Sequence, residues 1–319
     1  MPRPNIVYLH SHDTGRYIQP YGYPVDTPHL QRFAEQGVLF RKAFCVGPTC
    51  SPSRAALVTG QYPHTNGMTG LAHRGFSLVD YGLHLVHWLK DAGYYTVLAG
   101  HQHVAKDPSV IGYDEVMADT RDKVTENAVG WLENPPSEPF FLSVGYHATH
   151  RPFPEPDPRD DPRYVRPPAP LPDTERTRYD MACYHTLARM LDDEMGAVLE
   201  ALDGSGLAEN TLVIVTTDHG IAFPFMKCNL NDHGTGVMLM MRGPGGFEGG
   251  RVVDGKVTHL DIVPTLAEVL GIDPPGRELH GRSFMPLVRE EADEVHEAIF
   301  GEVNYHAAYE PKRTVRTDR

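Results

Sequence analysis

The sequence predicts an α/β fold in which a mostly parallel sheet carries helices on both faces. Three observations lead there. Short apolar runs alternate with segments of helical spacing. Several helical segments stop at a glycine. Polar clusters stand just after the apolar runs, where an open parallel sheet presents its ligands at the carboxyl ends of its strands.

Taken in order, Asn5 to His10 reads as a short buried strand. Thr27 and Pro28 form an N-cap and first-turn pair for a helix that Gly37 closes. Val38 to Phe44 reads as a strand, and Ser51-Pro52 opens a short helix ended by Gly60. Leu83 to Ala92 has helical periodicity and stops at Gly93, and Tyr94 to Ala99 is a β-rich run. A helix over Arg121 to Leu132 leads to a strand at Phe140 to Val144. The proline-rich stretch from Arg151 to Pro172 suits neither a helix nor a central strand, so it is expected as a surface excursion. A long helix follows over Arg176 to Leu202, then strands at Leu212 to Thr216 and Val237 to Met241, then a helix over His259 to Leu270.

The bulk numbers exclude some functions. The chain has 319 residues, of which 40% are hydrophobic, enough for one large α/β domain with a substantial core. A net charge of −13 disfavours a general binder of nucleic acid or anionic membrane. Four cysteines without short paired spacing resemble neither a disulfide framework nor a zinc ribbon. The run Ile6 to Leu9 is too short for a signal-peptide core and no membrane span is visible, so a cytoplasmic location is expected.

Chemistry-bearing residues follow four of the predicted strands. His12-Asp13 follows the first, His101 and His103 follow Ala99, His147 and His150 follow Val144, and Asp218-His219 follows Thr216. Adjacent parallel strands would bring all of them to one rim. Asp13, Asp218 and His219 then make a plausible divalent-metal site, although an isolated Asp more often caps a helix or turn. In Cys50-Ser51-Pro52-Ser53-Arg54, a cysteine just before a helix start would sit among free N–H groups that stabilise an anion. Arg54, one turn in, would reach the same anion with its fork. The plain alternative for Cys50 is a buried, inert thiol.

That pentapeptide matches the C-x-P-S-R signature, and on it the sequence resembles the sulfatases of the alkaline-phosphatase superfamily. Asn5-Ile6-Val7 with His12-Asp13, Thr59 to His64, Gly93 to His103, His147 to His150, Thr217 to Gly220, His259 to Leu266 and His280 to Ser283 are similar to further landmarks of that family. The spacing of Phe223-Pro224, Lys227 and Asn229-Leu230 most resembles the heparan N-sulfatase (sulfamidase) branch. The resemblance implies an alkaline-phosphatase-like catalytic domain over residues 1–300 and, from 301 to 319, the start of a small C-terminal subdomain that is cut short.

It also implies a mechanism. A maturation enzyme would oxidise Cys50 to formylglycine, whose hydrate offers two hydroxyls. One, held by the metal, attacks sulfur; the other then loses its proton, the aldehyde re-forms and sulfate leaves. His103 would assist that elimination, His150 and Lys227 would grip the sulfuryl oxygens and help protonate the leaving group, and Arg54 would support the formylglycine. His101 and His147 would bind substrate. Asp13, Asp218, His219, His12 and position 50 would hold one divalent ion. The family expectation is Ca2+. His12, His219 and His101 stand where the family has Asp, Asn and Lys; imidazoles shift the preference toward softer ions such as Mn2+ or Zn2+, with Mg2+ a further alternative. The expected substrate is a small sulfated molecule, a carbohydrate by resemblance. The competing readings are a phosphonate monoester or phosphodiester hydrolase of the same superfamily, and a catalytically inactive sulfatase-like binding protein.

Overall fold

Residues Asn5–Ser11 form β1, and all seven are buried, because this strand lies inside the sheet with helices over both faces. The computed structural model describes residues 3–118, 122–136 and 139–318. Its further strands are β2 (Val38–Phe40), β3 (Ala43–Phe44), β4 (Tyr95–Gly100), β5 (Glu115–Val116), β6 (Phe140–Gly145), β7 (Thr211–Thr217), β8 (Leu239–Arg242), β9 (Arg251–Val253), β10 (Val257–Thr258), β11 (Ile299–Tyr305) and β12 (Tyr309–Arg316). The α-helices are α1 (Pro28–Gln36), α2 (Cys50–Thr59), α3 (Pro63–Asn66), α4 (Leu85–Asp91), α5 (Val124–Leu132), α6 (Glu175–Gly204), α7 (Asp232–Thr235), α8 (Ile262–Leu270) and α9 (Met285–Val288).

The main sheet runs β5-β4-β6-β1-β7-β8-β2-β9. Every pairing in it is parallel except the two made by β8. Strand alternation splits the core in two. Ile6 and Tyr8 of β1, with Leu212 and Ile214 of β7, pack under α2, α4 and α8. Val7 and Leu9, with Val213 and Val215, pack under α1, α5 and α6. No described helix is long and apolar enough to cross a membrane.

Most expected elements are found, with instructive differences. The strand expected over Val38 to Phe44 breaks at the exposed Arg41 and Lys42 into β2 and β3, which join different sheets. The strand expected from Val237 begins at Leu239 and runs antiparallel to its neighbours. The helix expected from Arg121 begins at Val124, and Arg121 itself lies outside the described residues. Helix α2 starts at Cys50, one residue earlier than Ser51, because Thr49 is the residue with extended backbone. His259 to Asp261 is a single 3-10 turn ahead of α8. Residues 151–172 contain neither helix nor strand, as the prolines require. The tail forms the hairpin β11-β12, tied to the body by Glu302, whose N–H donates to Val46 O (2.7 Å) and whose carboxylate accepts from His64 N (2.8 Å).

One expected cap is a correction. Thr27 makes no side-chain cap to α1; its hydroxyl accepts from Gln19 N instead. The free N–H groups of His29 and Leu30 donate to the carboxylate of Asp192, on α6, at 3.0 and 2.8 Å. Tertiary packing supplies the cap, so local sequence could not show it. Burial raises the Asp192 carboxyl to about 6, against the pull of those two N–H donors. The folded state therefore holds its proton more tightly than the unfolded chain, whose pKa is about 4. This contribution is complete below about pH 4 and is lost as pH rises through about 6. In urea denaturation, Asp192→Asn should lose less stability than wild type between those two pH values. Asp192→Ala should cost about 1 kcal/mol at neutral pH.

Candidate active site

The four strands expected to share a rim are consecutive neighbours, β4-β6-β1-β7. Their ends are level: Gly100 pairs with Gly145, Gly145 with His10, and His10 with Thr216. Gly145 is needed there. A Cβ on it would lie 1.8 Å from His101 O and 2.5 Å from the His10 ring. Beyond that row the chain leaves β1 as Ser11-His12-Asp13, with Asp13 in the left-handed region at φ 61°. It leaves β7 as Asp218-His219.

Asp218 uses its two oxygens differently. Oδ1 accepts from the N–H groups of Asp13 (2.8 Å) and His219 (2.9 Å), closing both strand exits. Oδ2 is buried, with His12 Nδ1 and Arg54 Nη2 each 3.1 Å away, yet makes no hydrogen bond of good geometry. Around it stand Asp13 Oδ1, 2.8 Å from His12 Nδ1 and 3.1 Å from His219 Nε2, and Cys50 Sγ, 3.5 Å from His219 Nε2. One ligand atom from each of His12, Asp13, Cys50, Asp218 and His219 lies within 4.8 Å of all the others, and all five residues are buried. The capping alternative is thus true of one Asp218 oxygen and leaves the other facing the group.

Protonation suits a cation. Burial lowers His12 to about 3 despite the carboxylates Asp218 and Asp13, and burial likewise lowers His219. Burial alone would raise Asp13 and Asp218, but the groups around them, His12 and His219 foremost, hold both below the usual carboxylate range. Neutral imidazoles beside ionised carboxylates are what a divalent ion requires. An orphaned buried carboxylate oxygen within such a donor set fits that ion.

Cys50 occupies the first position of α2, a helix buried along its whole length. The anion stabilisation expected at this helix start does not extend to the thiol itself: burial outweighs the helix end and pushes the Cys50 thiol well above its ordinary value. Unmodified, it is a protonated, weak nucleophile. The expected anion-binding fork of Arg54 is also corrected. Its Nη1 donates to His10 Nδ1 (2.6 Å) and its Nη2 to Ser11 O (2.8 Å), so both ends of the fork are committed to β1. Of its three guanidinium nitrogens only Nε, which is buried, has no partner.

Lys227 donates to both oxygens of Asp13, at 3.0 and 2.8 Å. Burial works against its charge, but the carboxylates around it, Asp13 foremost and then Asp218, hold it above its usual value. His150 Nδ1 is 2.6 Å from Arg151 O, and its Nε2 is 3.8 Å from Asp13 Oδ2. The ring centroids of His101 and His147 are 4.0 Å apart, and His101 is 5.3 Å from His12. His103 lies 6.0 Å from His12, and burial, reinforced by His101 and His12, lowers it to about 2. All eleven residues singled out from sequence therefore gather at this rim.

Four further histidines near the rim were not assigned to the site from sequence, although His259 opens one of the family landmarks. His10 accepts from Arg54 and is 3.2 Å from Ser143 Oγ. His73 Nδ1 is 2.9 Å from His103 Nε2. His259 is 3.2 Å from Ser53 Oγ. His306, at the β11-β12 turn, is lowered to about 4 by burial, with Lys227 and His219 adding to the effect. His10, at the end of an apolar run, and His259, in a family landmark, carried a signal; His73 and His306 carried none.

Comparison with known proteins places this geometry. The sulfatase family model matches residues 4–272. The chain belongs to the sulfatase family. Human N-sulphoglucosamine sulphohydrolase is similar to it at 31% identity over 88% of this chain and 64% of that protein. An ulvan-active sulfatase of Formosa agariphila is 27% identical over 89% of this chain and 54% of that protein. The chain thus spans less than two thirds of the length of these sulfatases. A phosphonate monoester hydrolase from Silicibacter pomeroyi shares the fold, with a TM-score of 0.77 at 20% identity, over 99% of this chain and 86% of that one. The alkaline-phosphatase-like sheet flanked by helices is therefore the architecture of this sulfatase.

The two-sided use of Asp218 can be tested. Asp218→Asn retains an acceptor for the N–H groups of Asp13 and His219 but removes the charge facing the group. Equilibrium dialysis should show divalent-ion affinity reduced at least tenfold, roughly the loss expected for even an outer-shell change. Thermal unfolding should remain cooperative.

Proposed function

We propose that this sulfatase is a hydrolase of sulfate esters or sulfamates, acting on sulfated sugars, with Cys50 as the precursor of a formylglycine made by a maturation enzyme. The observation that carries the reading is the position of Cys50: first in a buried helix, inside the C-x-P-S-R run, with Sγ among the ligand atoms of His12, Asp13, Asp218 and His219. A thiol pushed up by burial is a poor nucleophile there, which favours a modified side chain. Formylglycine as its hydrate supplies an oxygen nucleophile that can afterwards release sulfate. A divalent ion held by Asp13, Asp218, His219 and His12 supplies Lewis acidity and lowers the pKa of an oxygen bound to it.

The chain's own groups supply the rest. Arg54 fixes the end of β1 and the side of Asp218, which positions the ligands. Lys227 places a permanent positive charge beside Asp13, where sulfuryl oxygens would be drawn in. His150 has its Nδ1 proton engaged by Arg151 O, so Nε2 is the atom that faces the rim, and with the ring doubly protonated it would pass its proton to the departing oxygen or nitrogen. His103 is held at Nε2 by His73, which leaves Nδ1 as the nitrogen that would accept the proton whose loss lets sulfate leave. Two imidazoles in the ligand set favour Mn2+ or Zn2+ over Ca2+, which prefers oxygen donors throughout. The sugar assignment rests on the names of the relatives, a sulphoglucosamine sulphohydrolase and an ulvan-active sulfatase.

Two measurements test this. The peptide containing Cys50, from protein made alongside a maturation enzyme, should show the mass of formylglycine, and Cys50→Ala should lower kcat by at least about 10^4-fold. A panel of sulfated sugars, sulfamates and phosphonate esters should show fastest turnover of a sulfated sugar. Fast phosphonate cleavage with negligible sulfate or sulfamate cleavage would reassign the protein to phosphonate hydrolysis.

A further inference from the structure

The rim holds a second group of donors with a different chemistry. One ring nitrogen from each of His12, His101 and His103 lies within 4.8 Å of the other two. Their ring centroids are 5.3 Å (His12 and His101), 5.2 Å (His101 and His103) and 6.0 Å (His12 and His103) apart. Three converging imidazoles do not suit Ca2+ or Mg2+, which require oxygen, but they are favourable for Zn2+, Ni2+ or Cu2+.

His103 gives the second observation. Its two ring nitrogens are divided: Nε2 meets His73 Nδ1 at 2.9 Å, and Nδ1 is buried with no hydrogen-bond partner. The His73 ring also stacks on it, with centroids 5.1 Å apart. A metal-ligating histidine is held in this way, one nitrogen on an outer partner that fixes the ring and the other on the ion. His73 itself is exposed, so the arrangement keeps its outer partner at the surface and its lone pair inside.

We propose that His12, His101 and His103 form a second metal site, for a divalent ion of the Zn2+ class, beside the carboxylate group. The two sites meet at His12, whose Nδ1 lies 2.8 Å from Asp13 and 3.1 Å from Asp218. A neutral imidazole has one lone pair and serves one ion at a time. When His12 serves the second ion, the first group keeps Asp13, Asp218, His219 and position 50. The second site is then three histidines with an open fourth position, a common arrangement for zinc. Filling it takes His101 and His103 away from substrate, so on the reading given above, Zn2+ in excess acts as an inhibitor.

The test is metal stoichiometry, which does not depend on that reading. Metal-stripped full-length protein is dialysed against Mn2+ with limiting free Zn2+, and both metals are counted by mass spectrometry. Wild type should retain two ions. Asp218→Asn should weaken one, and His101→Lys should weaken Zn2+ at least tenfold while leaving the other. His73→Ala alters only an exposed outer partner and should weaken Zn2+ by about tenfold or more. A total of one ion in folded wild type would overturn the proposal. So would a Zn2+ affinity unchanged in both His101→Lys and His73→Ala.

Discussion

The carboxylate of Asp218 ties the scaffold to the site. One oxygen receives the N–H groups of Asp13 and His219, so it joins the exits of β1 and β7. The other faces the ligand group. Neither function survives a slip of register. Moving β1 by one residue against β7 would exchange Ile6 and Tyr8 with Val7 and Leu9 between the two cores, and would turn the strand exits over. The apolar packing that fixes β1 thus also fixes the position of Asp13.

Helix α2 depends on the same junction. Arg54 is almost fully buried, and burying a guanidinium is costly unless its donors are met. His10 meets one because burial holds its ring neutral, leaving Nδ1 free to accept. Ser11 O meets another, and Asp218 stands beside it as counter-charge. The hydroxyl of Ser53 reaches Asp218 O, which fastens the helix to the β7 exit as well. Cys50 is therefore set among the ligands by contacts one turn further along its helix. This gives a physical reason for a serine and an arginine at those two spacings.

Much of this was legible in the sequence because it is local. The four rim strands are short apolar runs, and the residue types after them are visible by eye. Neighbouring parallel strands then turn sequence order into one site. What was not legible depends on distant partners. Thr27 has the right type for a cap, but Asp192 takes the N–H groups of α1 from a helix more than a hundred residues away. The fork of Arg54 suits an anion in general, but His10 and Ser11 reach it first. The burial that raises Cys50 follows from α2 being enclosed on every side, and its amphipathic pattern gives no sign of that. His73 and His306 come from a 3-10 turn and a hairpin tip, where no periodicity points inward.

On the proposed function, the local charge lets an acidic protein, at net −13, accept an anion. Within the buried group, Asp13 and Asp218 are ionised, Arg54 and Lys227 are cationic, and His12 and His219 are neutral. These charges cancel. A divalent ion there would leave the rim with two positive charges in a place where burial keeps screening low. That excess matches a sulfate dianion, and it matches a monoanionic sulfate ester as further negative charge develops on it. A lysine in place of His101 would add a third permanent charge. A neutral imidazole leaves the balance unchanged and adds a lone pair. On the proposed reading, His101 in place of lysine gives up a charge on an anion clamp and gains a lone pair for a cation.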